Sequence, residues 1–557
     1  MPTTECDERI LADLPQAAIN GNIAEQKRKD HWLARRWEIP EIGPCRGLQT
    51  SGERGRPAGD EPGPVTLCLG VNGYHRISFI TPYCKVRARL TGDRCFSECA
   101  PVFEFKDDPF KSPMETWGTV EEVFWREADL TGQDLVIDDR EHTDLIAVRL
   151  IPSEPKHDLR EVRWPMCISN DSGVHKQMKH RDPTDLFEWA ARPPENGCVR
   201  LLLYAAGNGD ACRHATQVGT QRGTLSPYVW GHANEWDLQN VQQYNNWGIN
   251  TAKAMVDYAH DRGWEVYLFV RHRAPGPHEL SELSFASQFW IDHPHYEILD
   301  AQGRPVSGLS VAFPEVREQM CRFYAELASF GADGVCVCYT RGSPPVLYEA
   351  PLVEGFLAKY GEDPRRLPDT DPRWLDFTAD VVTQYMRALK QAVGPKCKCS
   401  AILHGNEALN RRFGLDVRTW IAERIVDDLF LMGHTYEKHG IHTDSSPDYM
   451  NYDYFQNLPG RQHVRLWPMF NPWQRFVADP SAHCGALQSY LDAGADGYGI
   501  WDATSWAISP EDKIANIWDL GKWPRTSYEK RSRLIRKLEP TSRDGYRYNR
   551  YSSIESG

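Results

Sequence analysis

Groups able to do chemistry stand just behind short apolar runs in the C-terminal two-thirds of this chain. Tyr339 and Arg341 follow GVCVC, His404, Asn406 and Glu407 follow SAIL, and His434 follows LFLMG. Trp501, Asp502 and Trp506 follow GYGI, Arg271 and His272 close the run VYLFV, and Trp473 comes three positions after LWPMF. Glu349 lies ten residues past Tyr339 on a long connecting segment. Paired carboxyl groups are the equipment for breaking a glycosidic bond, one protonating the leaving oxygen and the other attacking or activating water. The candidates for that pair are Asp502, Glu407 and Glu349. Indole faces such as those of Trp473, Trp501 and Trp506 suit the apolar faces of pyranose rings, and the ring hydroxyls need convergent polar partners. Tyr339, Arg341, His404, Asn406, Arg271, His272 and His434 are the candidates for those partners.

Each carboxylate also has a structural reading. Asp502 is placed to cap a helix or bond an arginine, and Glu407 to pair with Arg411 or Arg412. An arginine at a strand end is costly to bury without an anion, so Arg341 points to a catalytic carboxylate or to an acidic group on the ligand; the alternatives to hydrolysis are a non-catalytic carbohydrate-binding barrel and a lyase or isomerase on uronic sugars, in which Arg341 neutralises the carboxylate and Tyr339 or a histidine moves the proton. The histidines show no HExxH-type spacing, and the CVC and CKC pairs are closer than zinc ligands usually stand. No metal and no cofactor are expected.

The elements that must hold these groups read as strands alternating with helices. Eight strand candidates run over 199–206, 264–273, 308–313, 333–339, 399–404, 427–434, 464–470 and 496–501. Between them lie amphipathic segments such as PEVREQMCRFYAELASFG, with apolar residues at helical spacing and a proline at its start. This predicts a (β/α)8 TIM barrel, whose sites are assembled at the C-terminal ends of the strands. The phrase GADG, at Gly331 and again at Gly494, precedes two of these strands, where glycine closes a helix and the aspartate faces the turn.

Ahead of the barrel the pattern differs. Residues 61–190 carry short β-rich runs separated by turns, which predicts a jelly-roll-like β-sandwich, galactose-binding-like in type. Residues 1–60 read as an extension with a helical candidate, AEQKRKDHWLARRW, and a Gly/Pro-rich linker, GLQTSGERGRPAGDEPGP; residues 198–557 read as the barrel with a C-terminal tail.

The chain has 557 residues, 41% of them hydrophobic, and a formal net charge of -13. That balance argues against nucleic acid or an anionic membrane as the main partner and leaves a carbohydrate as the expected ligand. Fifteen cysteines, many in apolar runs, fit a reducing cytoplasm, and the first residues do not read as a signal peptide. Oligomeric state is not encoded in any pattern.

The segments DGVCVCYTRG, FGLDVRTWIAERIVDDLFLMGH, AFPEVREQM and GADGYGIWDA together resemble the family-10-like glycosyl hydrolase barrels, particularly planctomycete-type members with a β-sandwich before the barrel. The resemblance covers roughly residues 198 to 510 and implies a TIM barrel that acts on glycans or derives from enzymes that do. The family pattern has an aspartate at the end of the fourth strand, and Cys338 stands there in this chain.

Overall fold

The computed structural model describes residues 8–20, 23–25, 32–39, 41–50, 63–82, 86–99, 119–139, 143–153, 162, 164–170, 179–191, 198–224, 235–272, 287–340, 344–432, 435–437, 440–442, 450–470, 489–501 and 532–537. Eight parallel strands close into a barrel: β1 (Met166–Asn170), β2 (Val199–Asn208), β3 (Glu265–Arg271), β4 (Gly334–Cys338), β5 (Lys398–His404), β6 (Asp428–Met432), β7 (Arg465–Phe470) and β8 (Tyr498–Ile500). Closure comes from β1, which bonds β2 on one side and β8 on the other.

The expected barrel strand at 308–313 is corrected by this closure. Pro305–Leu309 instead forms a two-stranded hairpin with Glu297–Leu299, and β1 supplies the missing stave from inside the region expected to be sandwich. Five apolar-leaning residues are too short to be distinguished by periodicity alone, and β1 is buried at every position because a closed barrel covers both of its faces.

Helices wrap the outside of the barrel. Among them α1 (Thr251–Asp261) is capped by Asn250, whose side chain accepts from the backbone of Ala252 and Lys253. Next comes α2 (Pro314–Ser329), which starts at Pro314 and buries Val316, Met320, Phe323, Tyr324 and Leu327 on one face. The long α3 (Pro372–Val393), capped by Asp371, buries nine residues in the same way. Gly331 and Gly494 close helices with φ of +88° and +97°, a region that L side chains enter at a cost. The aspartates of the two GADG phrases do one job twice. Asp333 accepts from the backbone N–H of Val266 at 2.9 Å, and Asp496 from that of Leu466 at 2.9 Å, each tying the entry of its strand to the neighbouring one.

Three further sheets, mostly antiparallel, precede the barrel and share a core that includes Trp32, Leu48, Val65, Phe79, Val86, Trp125, Leu135 and Val148. Where a helix is expected over 24–37, the described residues form two strands instead, Ile23–Glu25 and Trp32–Ile39. The reason is that Trp32 is buried on one side of its strand while Trp37 and Ile39 enter a second cluster on the other, an arrangement with period two. The start of the expected linker is likewise strand, Gly43–Thr50. A Cβ on Gly47 would lie 2.4 Å from the carbonyl oxygen of Leu145, so glycine serves close strand approach there. Ser532–Lys537 pairs with Thr119–Val123, carrying the C-terminal part of the chain back to the first sheets. No helix among the described residues is long and apolar enough to cross a membrane.

Candidate functional site

Alternation along the barrel strands sends every second side chain inward, and the interior is solidly filled. Leu201 and Leu203, Tyr267 and Phe269, Cys336 and Cys338, Ile402, Phe430 and Met432, and Trp467 and Met469 form one buried cluster with Cys167 and Trp501. Any ligand must therefore sit above this plug, at the strand ends. The register assigns the uppermost inward layer. Arg271 pairs with Asn208 on one side and Cys338 on the other, and His404 pairs with Met432.

The bottom of the same barrel is an ionic network. Asp428, fully buried, accepts from Arg465 Nε at 2.6 Å, Trp467 Nε1 at 2.7 Å and the Tyr267 hydroxyl at 2.7 Å. Glu265 accepts from Arg465 at 2.7 Å and Lys398 Nζ at 2.8 Å. The pull of these cations outweighs the penalty of burial and holds the Glu265 carboxyl below the usual range. Sequence reading missed this network, although a signal was present: Glu265, Lys398, Asp428 and Arg465 each open a strand of mainly apolar residues.

The sequence-predicted residues separate under this geometry. Glu407 opens α4 (Glu407–Arg412) directly after β5, with Asn406 as its cap accepting from Leu409 N at 3.2 Å. Arg411 pairs with Asp376 and Arg412 with Asp369, so the pairing considered for Glu407 is not the one formed. Glu407 Oε1 accepts instead from the Tyr454 hydroxyl at 2.9 Å, and its buried Oε2 has no partner among the described residues. Tyr454 belongs to α6 (Tyr452–Gln456), which follows α5 (Val417–Ala422). Burial pushes the Glu407 carboxyl up to about 7, against the opposing hydrogen bond from Tyr454 and the opposing charges of Arg411 and Arg418.

Glu349 is fully buried and accepts from the backbone N–H of Leu299 at 2.9 Å and of Leu347 at 3.0 Å. Burial raises its carboxyl to about 7 as well, but its oxygens are spent on holding a loop to the hairpin. Tyr339 lies outside the barrel wall rather than in a pocket. Its hydroxyl reaches Met386 Sδ in α3 at 3.3 Å and its ring packs against Trp420 and His272, because position 339 has the opposite parity to inward Cys338. His272 shares that outer side with Tyr339 and Tyr385, whereas His404 shares the face of Ile402, its ring met edge-on by Phe413. These two histidines do not converge, and among the described residues no group of three or more His, Cys, Asp or Glu is placed to hold a metal ion.

Trp501 is fully buried within the plug, 5.3 Å from Phe269, so its faces are occupied by protein. Cys338 is buried too, its thiol 3.5 Å from the Thr340 hydroxyl. Asp502, Arg341, His434, Trp473 and Trp506 lie outside the described residues.

No family model matches the chain, and no curated protein matches it. Among solved structures it is similar to the catalytic domain of a β-amylase from Paenibacillus polymyxa, at 10% identity over 63% of this chain and 94% of that one, with a TM-score of 0.40. It is also similar to a β-(1,4)-mannanase from Podospora anserina, at 11% identity over 89% and 97% with a TM-score of 0.28. An α-galactosidase from Thermus thermophilus matches at 11% identity over 88% and 94%, with a TM-score of 0.35. These neighbours are glycoside hydrolases. At such scores the barrel assignment rests on the strand pairings themselves.

Proposed function

We propose that the protein is a glycoside hydrolase acting on an oligo- or polysaccharide at the C-terminal end of its barrel. The observation that carries this reading is Glu407. It stands directly behind β5 with one buried oxygen lacking a partner, and it keeps its proton to near-neutral pH. Those are the properties of a general acid, which must hold a proton at working pH and offer it to a leaving oxygen. Glu407 gives its proton to the glycosidic oxygen as the C–O bond breaks. Asp502, one residue beyond Trp501, is the second carboxyl, either attacking the anomeric carbon or deprotonating the water that does. A separation near 5–5.5 Å would mean retention and one near 6.5–9.5 Å inversion. Tyr454 holds Glu407 in place through its hydroxyl.

The test is a panel of neutral, uronic and sulfated glycans incubated with the wild type, Glu407→Gln and Asp502→Asn, with new reducing ends followed by chromatography. Release by the wild type that is lost in both variants supports the assignment, and undiminished release by Glu407→Gln overturns it.

A second reading, a carbohydrate-binding barrel without hydrolysis, is favoured by Cys338. A buried thiol stands where the family resemblance implies a carboxylate. Ligand-induced change in tryptophan fluorescence without any new reducing ends would select it.

A further inference from the structure

Arg418, exposed near the start of α5, lies against Tyr454 of α6. Its guanidinium carbon is 6.0 Å from the ring centroid, and it bonds the same hydroxyl that Tyr454 donates to Glu407 at 2.9 Å. Two hydrogen bonds in series put the guanidinium within roughly 6 Å of the proton donor. Asn451, just ahead of α6, fixes this group at the exit of β5. Its N–H is donated to the Gly405 carbonyl at 3.0 Å, and its side chain accepts from Glu407 N at 3.2 Å.

Arg418 also differs from its neighbours in charge balance. Every other arginine from Arg373 to Arg465 is paired with a carboxylate or, for Arg424, with His463. Arg418 has no carboxylate partner among the described residues, although the chain carries a net charge of -13. The nearest acid in sequence, Asp416, is spent on the backbone N–H and hydroxyl of Thr419 and stands 3.9 Å from Arg411. A guanidinium steadied on an aromatic ring, with most of its fork unclaimed, suits an oxyanion. We propose that Arg418 binds an anionic substituent, carboxylate or sulfate, on the sugar whose oxygen takes the Glu407 proton. A group at C6 of that sugar lies at the right range. The inference rests on the glycosidase reading of Glu407 and specifies the substrate as an acidic glycan.

Calorimetric titration of the full chain with cellotriose, its C6-oxidised form and its 6-sulfate tests it, because the three trimers share one backbone and differ only at C6. At low salt one acidic trimer or both should bind at least about ten-fold tighter than cellotriose, the worth of one charge-assisted hydrogen bond. Added salt should shrink the difference. Which acidic trimer is preferred tells carboxylate from sulfate. Arg418→Met should remove the preference, and Arg418→Lys, which keeps the charge, should retain part of it. Because Arg418 is exposed, neither change threatens folding. Equal affinity for the trimers, no binding of any of them, or a preference that survives Arg418→Met overturns the proposal. Binding is read without turnover. A preference that depends on Arg418 with no new reducing ends from any glycan removes the hydrolase and keeps the anion site; turnover of neutral glycans with no preference does the reverse.

Discussion

The two ends of one barrel handle buried polarity in opposite ways. At the entry of the strands, Glu265, Lys398, Asp428 and Arg465 bond one another and the ring donors of Tyr267 and Trp467. At the exit, Asn208 and Glu407 each keep a buried polar atom with no partner among the described residues. Around fully buried Asp428 the partly exposed Glu265, Lys398 and Arg465 satisfy one another, and only the Ser400 hydroxyl at that level has no partner among the described residues, so the lower end is a fixture of the fold. Orphaned polar atoms remain costly until something arrives to bond them, which is what a binding face requires. The contrast separates stability from function within a single cylinder.

Substitutions at the two ends should therefore separate the same two properties. The largest effect is expected at the exit: Glu407→Gln should lower glycan turnover roughly 10²–10⁴-fold, the usual range for a general acid, with the midpoint of urea unfolding unchanged or higher. At the entry, Asp428→Ala removes the acceptor of the Tyr267 and Trp467 ring donors and leaves Arg465, a third exposed, to Glu265 alone, and should cost about 3 kcal/mol in urea unfolding. Substrate affinity measured well below that midpoint should not change. Loss of affinity in Asp428→Ala at full folding would break the comparison.

Glu349→Gln sharpens it. One face of the new amide would meet the Leu347 N–H with a donor, so about 1–3 kcal/mol of stability should be lost while kcat of the folded fraction holds.

The smallest effect is on pH dependence. The folded chain lifts Glu407 from its ordinary 4.5 to about 7, so it binds that proton more tightly than the unfolded chain does. The associated stability is complete below about 4.5 and is lost as pH rises through 7. Glu349 acts with the same sign in the same window. Unfolding measured from pH 4.5 to 7 should decline less steeply in Glu407→Gln than in the wild type, and an identical slope would remove the raised carboxyl from the account.

Seven of the eight staves were legible because their apolar runs are long enough to stand out from the helices between them. The eighth, β1, was not, since MCISN resembles the run at 308–313 and only closure tells them apart. Glu407 was visible from its place behind β5, but its partner Tyr454 is 47 positions away and no spacing rule connects them. Glu349 looked equally catalytic. What decides its role is two backbone amides, at Leu299 and Leu347, and backbone donors leave no mark in side-chain chemistry. The helix expected over AEQKRKDHWLARRW failed for a related reason: the pull of two separate cores on Trp32 and Trp37 overrode local propensity.

The seam between β1 and β8 has a consequence for synthesis. Met166 pairs with Tyr498, a gap of 332 positions. At about 5–20 residues per second, the ribosome leaves β1 waiting roughly 17–66 s for its neighbour on that side. The edge formed by Thr119–Val123 waits longer still for Ser532–Lys537. Nascent chains thus carry two unpaired strand edges through most of translation, and slowing elongation should raise the share captured by chaperones before the cylinder can shut.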